Sequence, residues 1–296
     1  MSLRAAAASA RAFARTAAVS AETPVMLTCA VSGGIVTGNP RQPVTRDEVI
    51  SEAIGAAKAG ASIVHVHART TAGEMSQSAD DYLAIKQAIR EEAEDIVLNF
   101  STGGGALDAS AAERRLPLMG QPELATLSCG SMNFGPSDDL LLNPRSLIAE
   151  LADEMAQRKI VPEYECFDLG MAVTAAKLAT SARGASGMMH MVLGVMGGAP
   201  ASVATILLFA QLVPDGVPWT ATAIGRHFPM MAVALALGGH IRTGLEDVLY
   251  LAPGEYAASN AQLVARATMM CESVGRPVAT PAQAREILGI DAARGT

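Results

Sequence analysis

Ala61-Ser62-Ile63-Val64-His65-Val66-His67-Ala68-Arg69 follows the turn residue Gly60 and is β-branched and apolar between its polar positions, as a buried strand would be. Side chains alternate along a strand, so Ile63, His65, His67 and Arg69 form one row and both imidazoles enter the same space. Two neutral imidazoles in a core would each need a separate hydrogen-bond partner, whereas one divalent ion satisfies both. The H-x-H spacing at a strand end makes His65 and His67 candidate metal ligands; the alternative is a pair of core histidines.

Outward from this run the pattern repeats. Short apolar stretches at 25–31, 96–100, 124–128, 161–167, 189–195, 219–223 and 240–242 predict seven more strands. Helical patterns separate them at about 45–60, 80–92, 111–119, 143–159, 171–183, 201–213 and 228–237, with closing helices at 257–274 and 281–288. Thr45 and Glu48 have the spacing of a capping box, and Pro144 suits a first helical turn. Eight βα units in one chain predict a (β/α)8 TIM barrel with its active site at the carboxyl ends of the strands. An open doubly wound sheet gives the same alternation but uses fewer units per domain. Residues 23–296 are therefore expected to form a single barrel domain. Residues 1–22, rich in alanine and serine with Arg4, Arg11 and Arg15 and no acid before Glu22, read as a disordered or targeting-like extension.

The chain has 296 residues, half of them hydrophobic, and a formal net charge of −7. That balance, without a basic cluster, argues against nucleic acid or an anionic membrane as partner. The longest apolar runs, 201–213 and 230–239, are too short to span a bilayer. Cys29, Cys129, Cys166 and Cys271 are widely spaced with no C-x-x-C, which reads as reduced core residues in a reducing, cytoplasmic compartment.

Polar residues collect where the predicted strands end: Ser32; Arg69; Asn99, Ser101 and Thr102; Ser131 and Asn133; Glu163, Glu165 and Asp168; Arg242, Glu246 and Asp247. Strands one, two and eight are neighbours in a closed barrel, so Glu246 can reach both histidines as a third ligand; otherwise it is a solvated loop carboxylate. Two nitrogens and a carboxylate with a vacancy suit catalytic zinc. Asp247 is then a candidate base that Arg242 would hold ionised, unless the two form only a structural salt bridge. His190, His227 and His240 have no paired partner in the sequence and read as structural. The glycines at 103–105 and the pair Gly197-Gly198 could open backbone amides to a phosphate, or simply make tight turns.

Ordered motifs across about residues 24–290 carry a resemblance: L-T-C-A-V-S-G-G, V-H-V-H-A-R, N-F-S-T-G-G, P-E-L-A-T-L-S-C-G-S-M-N-F-G, V-L-G-V-M-G-G, A-I-G-R-H, G-G-H-I-R-T-G-L-E-D, S-N-A-Q-L-V and A-T-P-A-Q-A-R-E-I-L-G. The chain resembles the β-keto acid cleavage enzyme family. That resemblance implies a zinc-dependent TIM barrel, usually a homotetramer, which converts a β-keto acid and acetyl-CoA into acetoacetate and a new acyl-CoA. It places His65, His67 and Glu246 on the metal ligands and Arg242 with Asp247 on the catalytic pair. Ser101 and Ser131 fall on hydroxyls that contact substrate, with Thr102 and Asn133 beside them; Gly197, Gly198 and Arg226 are candidate coenzyme contacts. Two positions depart from the family pattern. Ile35 stands where the typical enzyme meets a substrate amino group with glutamate, which implies an uncharged acyl side chain, and Val248 stands where asparagine is common. The same ligands would also serve a metal-dependent aldolase or hydrolase, or a metal-containing binding protein without catalysis.

Overall fold

All eight expected strands form: β1 (Leu27–Ala30), β2 (Ile63–Val66), β3 (Val97–Phe100), β4 (Leu124–Ser128), β5 (Val161–Cys166), β6 (Met188–Leu193), β7 (Trp219–Ala223) and β8 (His240–Thr243). The structure, a computed structural model, describes residues 23–34, 38–103, 109–136, 138–181 and 187–291. The extension expected over 1–22, and Ile35, lie outside the described residues. The strands pair in parallel and close in the order β1-β8-β7-β6-β5-β4-β3-β2. Closure pairs Leu27 with Ile241 and Thr28 with Arg242 on one side of β1, and Ala30 with His65 on the other. This is the (β/α)8 barrel that the alternation predicts.

Helices α1 (Arg46–Lys58), α2 (Ala79–Glu92), α3 (Leu116–Met119), α4 (Arg145–Gln157), α5 (Leu169–Ala179), α6 (Val203–Leu212), α7 (His227–Ala236) and α8 (Asn260–Ser273) each follow the strand of the same number. The capping box of Thr45 and Glu48 is present at α1. The third helix is shorter than its pattern, a 3-10 turn at Glu113–Arg115 and then four residues around Pro117, because that proline has no N–H to extend a ladder. Pro144 occupies the N-cap of α4 rather than its first turn. Asp168, one of the polar strand-end residues, caps α5 by accepting from Met171 N–H at 2.7 Å. Two short hairpins decorate the strand ends, Met132–Asn133 with Leu140–Leu141 and Tyr250–Ala252 with Glu255–Tyr256.

The barrel interior is divided along its axis. At the amino ends of the strands, Met26, Ile63, Val97, Leu124, Val161 and Met188 pack with Ala284 and Leu288 of the last helix, α9 (Pro281–Leu288), which plugs that end. Above this apolar floor the inward positions turn polar: Thr28, His65, Asn99, Glu163, His190 and Arg242 are all buried. Their partners must come from one another, and this polar layer carries the candidate site. Among the described residues no helix is long and apolar enough to cross a membrane, and all four cysteines are buried and free.

Candidate active site

Strand β2 contributes His65 from its third position, and His67 follows one residue past the strand end, so the alternating row continues into the loop. Their rings stand edge to face with centroids 5.2 Å apart. Closure puts β8 and β2 on either side of β1, and the Glu246 carboxylate lies 3.8 Å from His65 Nε2 and 3.6 Å from His67 Nε2. The structure thus brings together the three residues expected as ligands.

The backbone around Glu246 is held from two directions. Its N–H donates to Ala30 O at 3.3 Å. Gly33 adopts φ +68°, and a Cβ there would lie 2.7 Å from Glu246 Cγ, so only glycine leaves the carboxylate its place. Arg69, the last residue of the expected row, donates from Nη2 to Gly33 O at 3.1 Å. Asn260, fully buried at the start of α8, accepts from Leu245 N–H at 2.9 Å and donates to Val31 O at 3.1 Å. It ties the loop after β8 to the loop after β1. Sequence reasoning gives Asn260 no role; its one signal is a polar residue heading an apolar helical face.

The donor set fits a divalent ion. Glu246 Oε2 is buried with no hydrogen-bond partner, and one ligand atom from each of the three residues lies within 4.8 Å of the others. Burial lowers His65 to about 3, leaving the neutral imidazole that a metal requires. Burial alone would raise the Glu246 carboxyl, yet Arg242, His67 and His65 hold it well below the usual carboxylate range.

Arg242 grips Asp247 through two hydrogen bonds, Nε to Oδ2 at 2.9 Å and Nη2 to Oδ1 at 3.0 Å, and reaches Glu246 Oε1 at 2.6 Å. Its Nη1 is buried without a partner, which leaves one charged donor uncommitted. Arg242 favours the ionised form of Asp247, while burial acts more strongly and raises the Asp247 carboxyl above its ordinary value. A carboxylate of raised pKa is a stronger base once deprotonated.

Beneath these groups lies a second cluster. Asn99 Nδ2 donates to Glu163 Oε2, and His190 Nδ1 sits 3.1 Å from Glu163 Oε1, off the line of a good hydrogen bond. His190, which the sequence leaves unpaired, therefore has Glu163 as its partner. Ser128 Oγ donates to Glu165 Oε2 at 3.2 Å; burial and the neighbouring Glu163 raise the Glu165 carboxyl. His227 and His240 are structural, bonded to Thr243 Oγ1 at 2.9 Å and Met26 N–H at 3.0 Å.

A cavity of about 390 Å³ opens above the polar layer, bounded by His67, Ser101, Glu165, Arg242, Glu246 and Asp247 together with an apolar wall. Of the other candidates, Ser101 lines it, its Oγ accepting from Gly103 N–H at 3.2 Å. Ser128 and Glu165 line it too, although the sequence reading gives neither a role; their inward alternation on β4 and β5 was the available signal. Thr102 is fully buried, with its hydroxyl on Thr126 O at 2.6 Å. Ser131 and Asn133 are exposed beside the first hairpin and do not line the cavity; Ser131 Oγ accepts from Asn143 N–H at 2.7 Å. Gly198 N–H donates to Val195 O at 2.9 Å, so that amide is taken, and a side chain at Gly197 would collide with Asn133 O. Arg226 is exposed at the N-cap of α7, outside the cavity lining.

A TIM barrel that gathers two histidines and a glutamate beside a buried arginine-aspartate pair at the carboxyl ends of its strands has the architecture of the class of enzyme whose site is built from strand-end residues. Within that class the chain belongs to the beta-keto acid cleavage enzyme family, whose model matches residues 24–290. It is 38% identical to the 3-keto-5-aminohexanoate cleavage enzyme of Acetoanaerobium sticklandii, over 90% of this chain and 98% of that one. It is 36% identical to the 3-oxoadipate:acetyl-CoA acetyltransferase of Cupriavidus necator, over 90% and 95% respectively. The solved apo structure of ObcA shares the fold, with a TM-score of 0.69 and 22% identity over 84% of this chain and 66% of that one.

Proposed function

We propose that this enzyme joins a β-keto acid to acetyl-CoA and releases acetoacetate and the acyl-CoA of the original chain, with zinc held by His65, His67 and Glu246. The observation that carries the reading is the Arg242–Asp247 pair, hydrogen-bonded at 2.9 and 3.0 Å in the wall of the cavity that His67 and Glu246 also line. When bound, the ion acts as a Lewis acid that acidifies the C2 protons of a β-keto acid.

Asp247 takes a C2 proton, and Arg242 keeps its carboxylate aimed. The C2 carbanion attacks the acetyl carbonyl of acetyl-CoA, forming a carbon–carbon bond and expelling the coenzyme A thiolate. The thiolate then adds to the original ketone carbon, C3. The C2–C3 bond breaks, giving the new acyl-CoA and an acetoacetate carbanion, which recovers the proton from Asp247. Ser101 Oγ and the unpartnered Nη1 of Arg242 donate to the substrate carboxylate and to oxygens that gain charge.

Ile35, in place of a glutamate, supports an acyl side chain without charge. Exposed Arg226 at the barrel mouth is the candidate contact for a coenzyme phosphate. Four buried, free cysteines suit the cytoplasm, and the family pattern supports a homotetramer. The test is acetoacetate formation by purified, zinc-loaded enzyme. Acetoacetate should appear only when a β-keto acid and acetyl-CoA are both present. Keto acid breakdown with acetyl-CoA untouched would make this an aldolase or hydrolase instead.

A further inference from the structure

The cavity has two unlike sides. His67 follows β2, and Arg242, Glu246 and Asp247 lie on or after β8. In the closed order, β6 is four strands from β2 and β4 is four strands from β8, so the elements around β4 to β6 face this polar side across the barrel. The apolar groups there are Phe134 and Leu141 from the first hairpin, Phe167 after β5, and Val192 and Met196 on and after β6, with the bonded pair Ser128 and Glu165 at the ends of β4 and β5 as the polar ones. Ile224, after β7, joins the two sides.

We infer that this wall is the specificity pocket for the acyl tail and that the preferred substrate is a β-keto acid with an apolar, aliphatic tail. The inference rests on the proposed β-keto acid chemistry, which places the reacting carboxylate and C2 at the polar side and sends the tail across the cavity. Among the described lining residues, the far side offers a charged tail no cation and one carboxylate, Glu165. Arg242 is the one cation among the described lining residues, and it is bound to Asp247 and Glu246. Two other buried arginines, Arg69 bonded to Gly33 O and Gly73 O and Arg114 bonded to Thr102 O and Leu142 O, are not among the residues that line the cavity. A carboxylate tail would therefore be desolvated without a partner. An ammonium tail would find only Glu165, which is already bonded to Ser128 and has its carboxyl pushed up by burial and by Glu163. Methylene groups meet the two phenylalanines, Val192 and Leu141 at no such cost.

The experiment compares kcat/KM for 3-oxohexanoate, 3-oxoadipate and 3-keto-5-aminohexanoate, with acetyl-CoA saturating, in the zinc-loaded enzyme and in Val192→Ala and Val192→Thr. The binding of hexanoate, adipate and 6-aminohexanoate is measured alongside by calorimetry. The apolar member of each set should be favoured by roughly 100-fold or more, since buried unpaired groups discriminate strongly. Val192→Ala should raise KM for 3-oxohexanoate roughly tenfold, with KM for acetyl-CoA unchanged. The near-isosteric Val192→Thr should narrow the apolar preference without loss of fold. Preference for a charged member, or a Val192 effect on KM for acetyl-CoA alone, would overturn the inference, the latter by giving the wall to the pantetheine arm. If no keto acid turns over with acetyl-CoA, the proposed reaction fails, and the calorimetric order alone then decides for or against the apolar wall.

Discussion

Asp247 and Glu246 are adjacent in sequence yet differ in what their surroundings do to them: burial raises Asp247, whereas Arg242 and two histidines hold Glu246 low. The proposed mechanism uses the first as a base and the second as a ligand. Asp247→Asn keeps the shape but removes the proton acceptor, so turnover should fall roughly 10²- to 10⁴-fold while elemental analysis finds the same metal content. Loss of metal in that variant would make Asp247 a ligand. Gly33→Ala should lower zinc affinity about 10- to 100-fold, read by competition with a chelator, because its Cβ would displace the Glu246 side chain. Unchanged affinity would mean that the loop yields freely. His65 and His67 were legible because strand alternation acts over two residues, and Glu246 because barrel closure makes first and last strands neighbours. Gly33's constraint was hidden, since it comes from a side chain at the far end of the chain.

Strands and helices were read from apolar periodicity, which locates β2, β8 and α1 well but blurs where loops take over. The first hairpin escaped for this reason. Ser131 was placed by the family resemblance and Asn133, Gly197 and Gly198 by their position after strands; in the fold Ser131 Oγ accepts from Asn143 N–H and Gly198 N–H donates to Val195 O. Asn260 shows the reverse case, one side chain on α8 tying two strand ends together. Asn260→Ala removes the side chain that accepts from Leu245 N–H and donates to the Val31 carbonyl. The urea unfolding free energy should drop by about 1–3 kcal/mol, with weaker zinc binding alongside. Full stability and full zinc affinity would show that the loops hold without it.

At the scale of the barrel, stability and chemistry are separated along one axis. Met26, Ile63, Val97 and the plug of α9 form the apolar end, and the polar layer with its cavity forms the other. Leu288→Ala in the plug should cost about 2–5 kcal/mol of unfolding free energy, with kcat unchanged below the melting transition. A large fall in kcat would couple the two ends. Eight alternating units made the barrel legible, but the apolar wall was not, because its residues come from β6, a hairpin and several loops that only the closed fold brings to one side. Acyl exchange predicts a definite fate for every carbon of the coenzyme's acetyl group. With acetyl-CoA carrying ¹³C only at its two acetyl carbons, and unlabelled keto acid, mass spectrometry and NMR should find both labels at C3 and C4 of acetoacetate and an unlabelled acyl-CoA; label in free acetate or in the acyl-CoA would contradict carbon–carbon exchange at this site.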